Sequence, residues 1–125
     1  MANKLFPMLS CGDLERSLAF YRELLGGVET YRFPEEGPPQ FVALALGESE
    51  IGLGPVSAQP WHGRPQRPAT GHRIELCVYV DDVDEAFARA RADGFEAVAE
   101  PAETPWGERI AWIGDPDGNL VMLTR

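Results

Sequence analysis

The chain is poor in the residues that usually hold metals or staples. Its 125 residues include two cysteines, Cys11 and Cys77, and two histidines, His62 and His72. Two thiols without paired spacing make neither a zinc site nor a disulfide framework, so both read as reduced, mostly buried side chains. No run of about 18 apolar residues occurs, so no membrane-spanning helix is expected. The opening residues, Met-Ala-Asn-Lys-Leu-Phe-Pro, lack the basic and apolar regions of a signal peptide, and cytoplasmic residence is the expectation. Ser10 and Ser17 have no histidine placed to activate them, and Gly26-Gly27 and Gly52 to Gly54 lack the lysine of a phosphate loop. Positive charge is scarce as well: 11 Lys and Arg face 20 Asp and Glu, a net charge of −9. That disfavours nucleic acid and anionic membrane as partners. It would draw a cationic ligand inward, although acidic surfaces also serve plain solubility.

What is present reads as one domain, with enough chain to bury a core without staples. Asp13 can cap a helix running to about Leu25, with Leu14, Leu18, Tyr21 and Leu25 at helical spacing and Gly26-Gly27 at its end. Asp82 can cap a second, with Glu85 in the capping-box position, Val83, Ala86, Phe87 and Ala90 as its apolar stripe, and Gly94 as its stop. Strand-like runs precede the helices at 5–10 and 73–80. Others follow at 28–33, 40–46 and 50–53, and at 96–99, 109–113 and 120–124. The order is βαβββ, twice. An offset of 69 maps Asp13 onto Asp82, Leu18 onto Phe87 and Leu53 onto Met122. Module 1 spans about 1–54 and module 2 about 72–125. The linker, 55–71, is rich in proline and long for a structureless connection. Trp61 in its middle either serves a function or tacks the loop onto the body; sequence leaves both open.

Residues 110–125 form two alternating runs joined by Asp115-Pro116-Asp117-Gly118, which is turn chemistry. This closing hairpin resembles that of the vicinal oxygen chelate superfamily, the glyoxalase, bleomycin-resistance and extradiol-dioxygenase proteins. Asp13 to Tyr21 followed by Leu25-Gly26 is similar to its first helix, Val80 to Asp84 to the start of its second, and Pro105-Trp106-Gly107 to a feature of the bleomycin-resistance branch. The resemblance implies an α+β fold: two βαβββ modules form a curved mixed sheet around a cleft, with the helices on the outer face. In metal-using members the resemblance places ligands at inward positions of the first and last strands of each module. By spacing those slots are Phe6, Leu53, Glu75 and Met122. Only Glu75 is a ligand of the kind such sites use, because phenylalanine and leucine offer no lone pair and a thioether is too soft. His72 lies an odd number of residues from Glu75, hence on the opposite strand face, and His62 is in the linker.

Strand alternation turns Leu5, Pro7 and Leu9, and Ile74, Leu76 and Val78, toward the helices. It leaves Phe6 and Met8, then Glu75, Cys77 and Tyr79, then Ile110 and Trp112, and finally Met122, on the ligand-facing side. With Trp61 and Trp106 from the loops, this set suits a planar or bulky apolar molecule, and Glu75 suits a cationic or donor group on it. Interior packing, with Glu75 bonded to Tyr79 or a backbone amide, is the alternative. The expected function is sequestration of a small hydrophobic or cationic aromatic molecule, antibiotic-resistance-like, with no cofactor, no metal and no catalytic residue. The rivals are a metal-dependent lyase, epimerase or dioxygenase, and a metal-free enzyme with Glu75 as general base. The resemblance also implies a homodimer.

Overall fold

The computed structural model describes residues 2–68, 70–71 and 74–125. His72 and Arg73 fall outside them, and with them the start expected for the fifth strand. The chain divides into two compact units, Met1–Pro68 and Ala69–Arg125, and the break falls within the expected linker.

The first unit runs β1 (Met8–Cys11), α1 (Leu14–Leu18), β2 (Val28–Phe33), β3 (Phe41–Leu46) and β4 (Ser49–Pro55). The second runs β5 (Leu76–Tyr79), α2 (Val83–Ala92), β6 (Glu96–Glu103), β7 (Arg109–Gly114) and β8 (Leu120–Thr124). Each forms its own four-stranded mixed sheet, ordered β1-β4-β3-β2 and β5-β8-β7-β6. In each, the first strand lies parallel to the last and the other neighbours are antiparallel. The architecture is α+β with the βαβββ order repeated.

Both helices begin where their caps predict. The carboxylate of Asp13 accepts from Arg16 N at 3.1 Å, and that of Asp82 from Glu85 N at 3.0 Å. Each satisfies a donor that the first turn leaves unpaired. The first helix departs from expectation after Leu18. Residues Ala19–Leu24 form a wide π-helical segment, in which Leu25 N donates to Phe20 O, five residues back, at 3.1 Å. The wider turn sends two consecutive residues, Phe20 and Tyr21, into the core, their rings edge to face at 4.8 Å. Leu24 is buried and Leu25 only half so, which ordinary helical spacing did not foresee.

The core of each unit lies between helix and sheet. Val42, Leu44, Ile51 and Leu53 pack beneath Leu14, Leu18 and Phe20; Ala111, Ile113, Val121 and Leu123 pack beneath Val83, Phe87 and Ala90. Leu5 and Ile74 are corrections. Both were expected under the helices, but β1 and β5 begin only at Met8 and Leu76, and both residues are exposed.

Charged clasps close the edges. In the second unit Arg109 forks onto Asp84 at 2.6 and 2.7 Å, tying β7 to the first turn of α2. In the first, Glu29 on β2 accepts from Arg32 Nε at 2.7 Å and from Arg22, in the π segment, at 2.8 Å. Hydrogen bonding by Arg32, and then by Arg22, holds the Glu29 carboxyl below its ordinary value of 4.5, against an opposing push from partial burial. A carboxylate with a depressed folded pKa stabilises fully above its unfolded pKa and loses that contribution as pH falls through the folded value. Glu29→Gln should therefore destabilise the protein modestly near neutral pH. In urea melts the gap to wild type should shrink steadily below about pH 4.5. A gap that stays constant or widens on acidification would contradict this account.

Candidate functional site

Cross-strand partners share a face, so the registers sort every strand residue. In the first unit Leu53 pairs with Leu9 and Val42 and is fully buried on the helix side. Its neighbour Gly52 pairs with Met8 and Ala43 on the helix-free side. In the second unit Met122 pairs with Cys77 and Trp112, also on the helix-free side. Met122 therefore corresponds to Gly52, and the slot assigned to Leu53 by spacing is corrected by one residue.

The cause is hairpin length. Leu46 pairs with Ser49 across a two-residue turn, whereas Gly114 pairs with Leu120 and Asp115 N bonds Asn119 O. Leu44 and Ile113 are still 69 apart; past the turn, Ile51 and Val121 are 70 apart. The longer turn is held by the buried carboxylate of Asp115, which accepts from Asp117 N at 2.9 Å, Asn119 N at 2.8 Å and Asn119 Nδ2 at 2.7 Å. A one-residue slip moves a strand's side chains to the other face, so an offset valid for the helices misleads here.

The four positions are then Phe6, Gly52, Glu75 and Met122. Gly52 leaves no room for a ligand side chain as the sheet stands. A Cβ there would lie 2.8 Å from ring atoms of Phe41 and 3.4 Å from Met8 Cγ. Among the described residues, no group of three or more His, Cys, Asp or Glu is placed to hold a metal ion. His62 sits in the linker, its Nδ1 accepting from Arg64 N at 3.0 Å. A phenyl ring, a glycine and a thioether do not fit the oxygen and nitrogen ligands that a hard divalent ion requires.

On the first unit's helix-free face, Phe6 is half-buried and Met8 exposed. Sequence reasoning missed three aromatics on this face: Tyr31, Phe33 and Phe41. Tyr31 pairs with Ala43 and Phe33 with Phe41, and the rings of Tyr31 and Phe41 lie 6.1 Å apart. On β2 a bulge at Thr30 breaks the simple alternation that would have revealed Tyr31 and Phe33. Glu50, paired with Ala45, is a carboxylate on the same face; it ion-pairs with Lys4. The parity of β4 shows its side once that of Gly52 is known.

On the second unit's helix-free face, Cys77, Met122 and Trp112 form one row and Tyr79, Thr124 and Ile110 the next. Trp112 and Met122 are half-buried, while Cys77 and Tyr79 are exposed. Glu108, another missed carboxylate, accepts from Thr124 Oγ1 at 3.2 Å. Its spacing two residues before Ile110 was the available signal. Burial, and after it the Glu108 charge, pushes the Cys77 thiol upward, which disfavours a thiolate nucleophile. Glu75 stands just ahead of β5 and is exposed, without the burial assumed for a general base.

The remaining tryptophans are on loops. Trp106 caps a turn in which Thr104 N donates to Glu108 O at 2.7 Å, and it is exposed. Trp61 is fully exposed, which removes the reading that it tacks the linker to the body. That anchoring falls to Gln66, which donates to Ser10 Oγ at 2.8 Å and accepts from Ser57 N at 2.8 Å.

The model of the Glyoxalase/Bleomycin resistance protein/Dioxygenase superfamily matches residues 6–123. Lactoylglutathione lyase of Salmonella typhimurium is 32% identical, over 95% of this chain and 89% of the lyase. TioX from Micromonospora sp. ML1 is structurally similar, with TM-score 0.75, 26% identity, and coverage of 99% and 98% of the two chains. Lactoylglutathione lyase from Agrobacterium tumefaciens superposes with TM-score 0.67 at 26% identity, covering 99% of this chain and 94% of the lyase.

Proposed function

This chain belongs to the Glyoxalase/Bleomycin resistance protein/Dioxygenase superfamily, and we propose that within it the chain binds and sequesters a small hydrophobic or cationic aromatic molecule without a metal. The carrying observation is Gly52, whose side-chain space is taken by the ring of Phe41. A position that supplies a ligand in a metal enzyme supports an aromatic surface here. Phe6 and Met122 continue the substitution of apolar side chains for ligands. The helix-free faces offer stacking groups in place of reacting ones: Tyr31, Phe33 and Phe41 in one unit, Trp112 and Tyr79 in the other. Large exposed apolar groups on a sheet mark binding surfaces, and the charge of −9 favours a cationic ligand.

A second reading comes from the relatives, several of which are named lactoylglutathione lyase. It requires a metal, and the donor set opposes it. Bleomycin, a cationic compound with a planar aromatic tail, is a suitable probe. It should quench tryptophan fluorescence on titration and be recovered unaltered by mass spectrometry. Trp112→Ala should weaken its binding by about 1–3 kcal/mol, the scale of one buried aromatic contact. Chemical alteration of the probe would replace binding by turnover.

The protein acts in the cytoplasm as a homodimer in this proposal. Exposed Met8, Tyr31, Phe33 and Tyr79 support pairing, since such surface is rarely left uncovered. Sedimentation equilibrium at micromolar concentration should give twice the chain mass, and a single-chain mass would refute the dimer.

A further inference from the structure

We infer that Phe6 and Glu50 form a seat for the cationic group of an arylalkylamine, and that Lys4 of the chain itself fills that seat until such a ligand displaces it. The inference rests on the binding function proposed above and names the chemistry of one ligand group.

The seat exists in filled form. The Lys4 ammonium lies 5.4 Å from the centroid of the Phe6 ring and is ion-paired with the Glu50 carboxylate. A ring face and a carboxylate converging on one ammonium is how proteins recognise amines. The two sides of the pair are unequally held. The Glu50 side chain is 24% exposed, whereas that of Lys4 is 61% exposed. The acceptor is built into β4, and the donor reaches it from the segment ahead of β1 on a long flexible arm. An exposed pair of this kind contributes little stability, so exchanging its cation for another is inexpensive.

The surroundings specify what the incoming cation must carry. Two residues along β4 from Glu50 is Gly52, roughly 7 Å away at the rise of a strand. There the ring of Phe41 covers the glycine, with Tyr31 at 6.1 Å beyond it. A ligand whose ammonium replaces that of Lys4 can lay an aromatic ring on Phe41 and Tyr31 through a short alkyl arm. Lysine has no ring, so it takes only the ionic half of the site. Swapping one ammonium for another leaves the charge balance unchanged, and the stacking decides the exchange. Amines without a ring gain nothing over Lys4 and are rejected.

Two probes of equal shape test this: 2-(2-naphthyl)ethylamine and the neutral 2-(2-naphthyl)ethanol, titrated calorimetrically at neutral pH into the full chain, with each variant's folding checked by thermal melting. In wild type the two probes should bind within about twofold of each other, because Lys4 already fills the ionic half of the seat and the exchange of one ammonium for another is near neutral. Lys4→Ala should tighten the amine roughly three- to tenfold by removing the internal competitor, and leave the alcohol within about twofold. Glu50→Gln added to Lys4→Ala should abolish the amine's advantage gained there while the alcohol still binds. If Lys4→Ala leaves amine binding unchanged or weakens it, Lys4 is a structural tie and the inference fails. Equal binding of the two probes to Lys4→Ala also defeats the seat but leaves the binding function standing. Failure of both probes to bind counts against the binding function itself.

Discussion

Leu53→Ala should lower the unfolding free energy by about 2–5 kcal/mol, the range for deleting a fully buried leucine. Leu53 is entirely enclosed, flanked by Leu9 and Val42 in the sheet and covered by the helix side of the first unit. The loss combines the transfer of the removed methyl groups with the cavity they leave. Urea denaturation should show a lower midpoint at an unchanged slope. Leu53→Glu, the substitution that spacing alone would choose to rebuild a metal ligand, should do worse, because it buries an unpaired carboxylate. Gly52→Glu should be the milder of the two, since its side chain projects onto the helix-free face once Phe41 swings away. A wild-type-like midpoint for Leu53→Ala, or tolerance of Leu53→Glu alongside unfolding by Gly52→Glu, would show that the register is wrong.

The second large effect is an absence of catalysis. Assayed with added zinc, nickel or manganese, the purified chain should show no lactoylglutathione lyase activity above the buffer rate. Enzymes accelerate their reactions by at least about a millionfold, so even a crippled lyase would stand clear of background. The expectation follows from the donor set: Phe6, Gly52 and Met122 offer no oxygen or nitrogen ligand, and one exposed Glu75 does not retain a divalent ion. Elemental analysis of protein purified without chelator should find well below one metal per chain. A stoichiometric metal together with turnover would overthrow the binding function and restore the lyase.

Local chemistry made much of the fold readable. Asp13 and Asp82 announce both helix starts, and the strand-like runs at 28–33 and 120–124 match the observed limits of β2 and β8. What escaped was set by tertiary packing or by counting. No residue in Ala19–Leu24 signals a π-helical turn; the segment widens because Phe20 and Tyr21 both find room in the core. The extra residue in the second hairpin is visible only when both turns are known, yet it decides which of Leu53 and Gly52 faces inward. Among the expected ligand-facing residues, Trp112, Met122, Cys77 and Tyr79 do share one face, because parity within a single strand needs no offset. The sequence drew attention to Glu75, whereas Glu50 and its partner Lys4, 46 residues away, meet only through the pairing of β1 with β4.

The clasp that Gln66 makes to Ser10 and Ser57 leaves a connector in which most of the described side chains are exposed, Trp61 above all. Exposed connectors are the usual victims of proteolysis. Yet between Pro55 and Gly71 the basic residues are Arg64 and Arg67, and each is followed by a proline, Pro65 and Pro68. Trypsin-like enzymes do not cut an arginyl–prolyl bond, so this stretch is chemically armoured against them despite its accessibility. An enzyme that cuts after aromatic residues meets no such defence at Trp61. That exposed indole is the point at which the two halves of the chain are most easily severed.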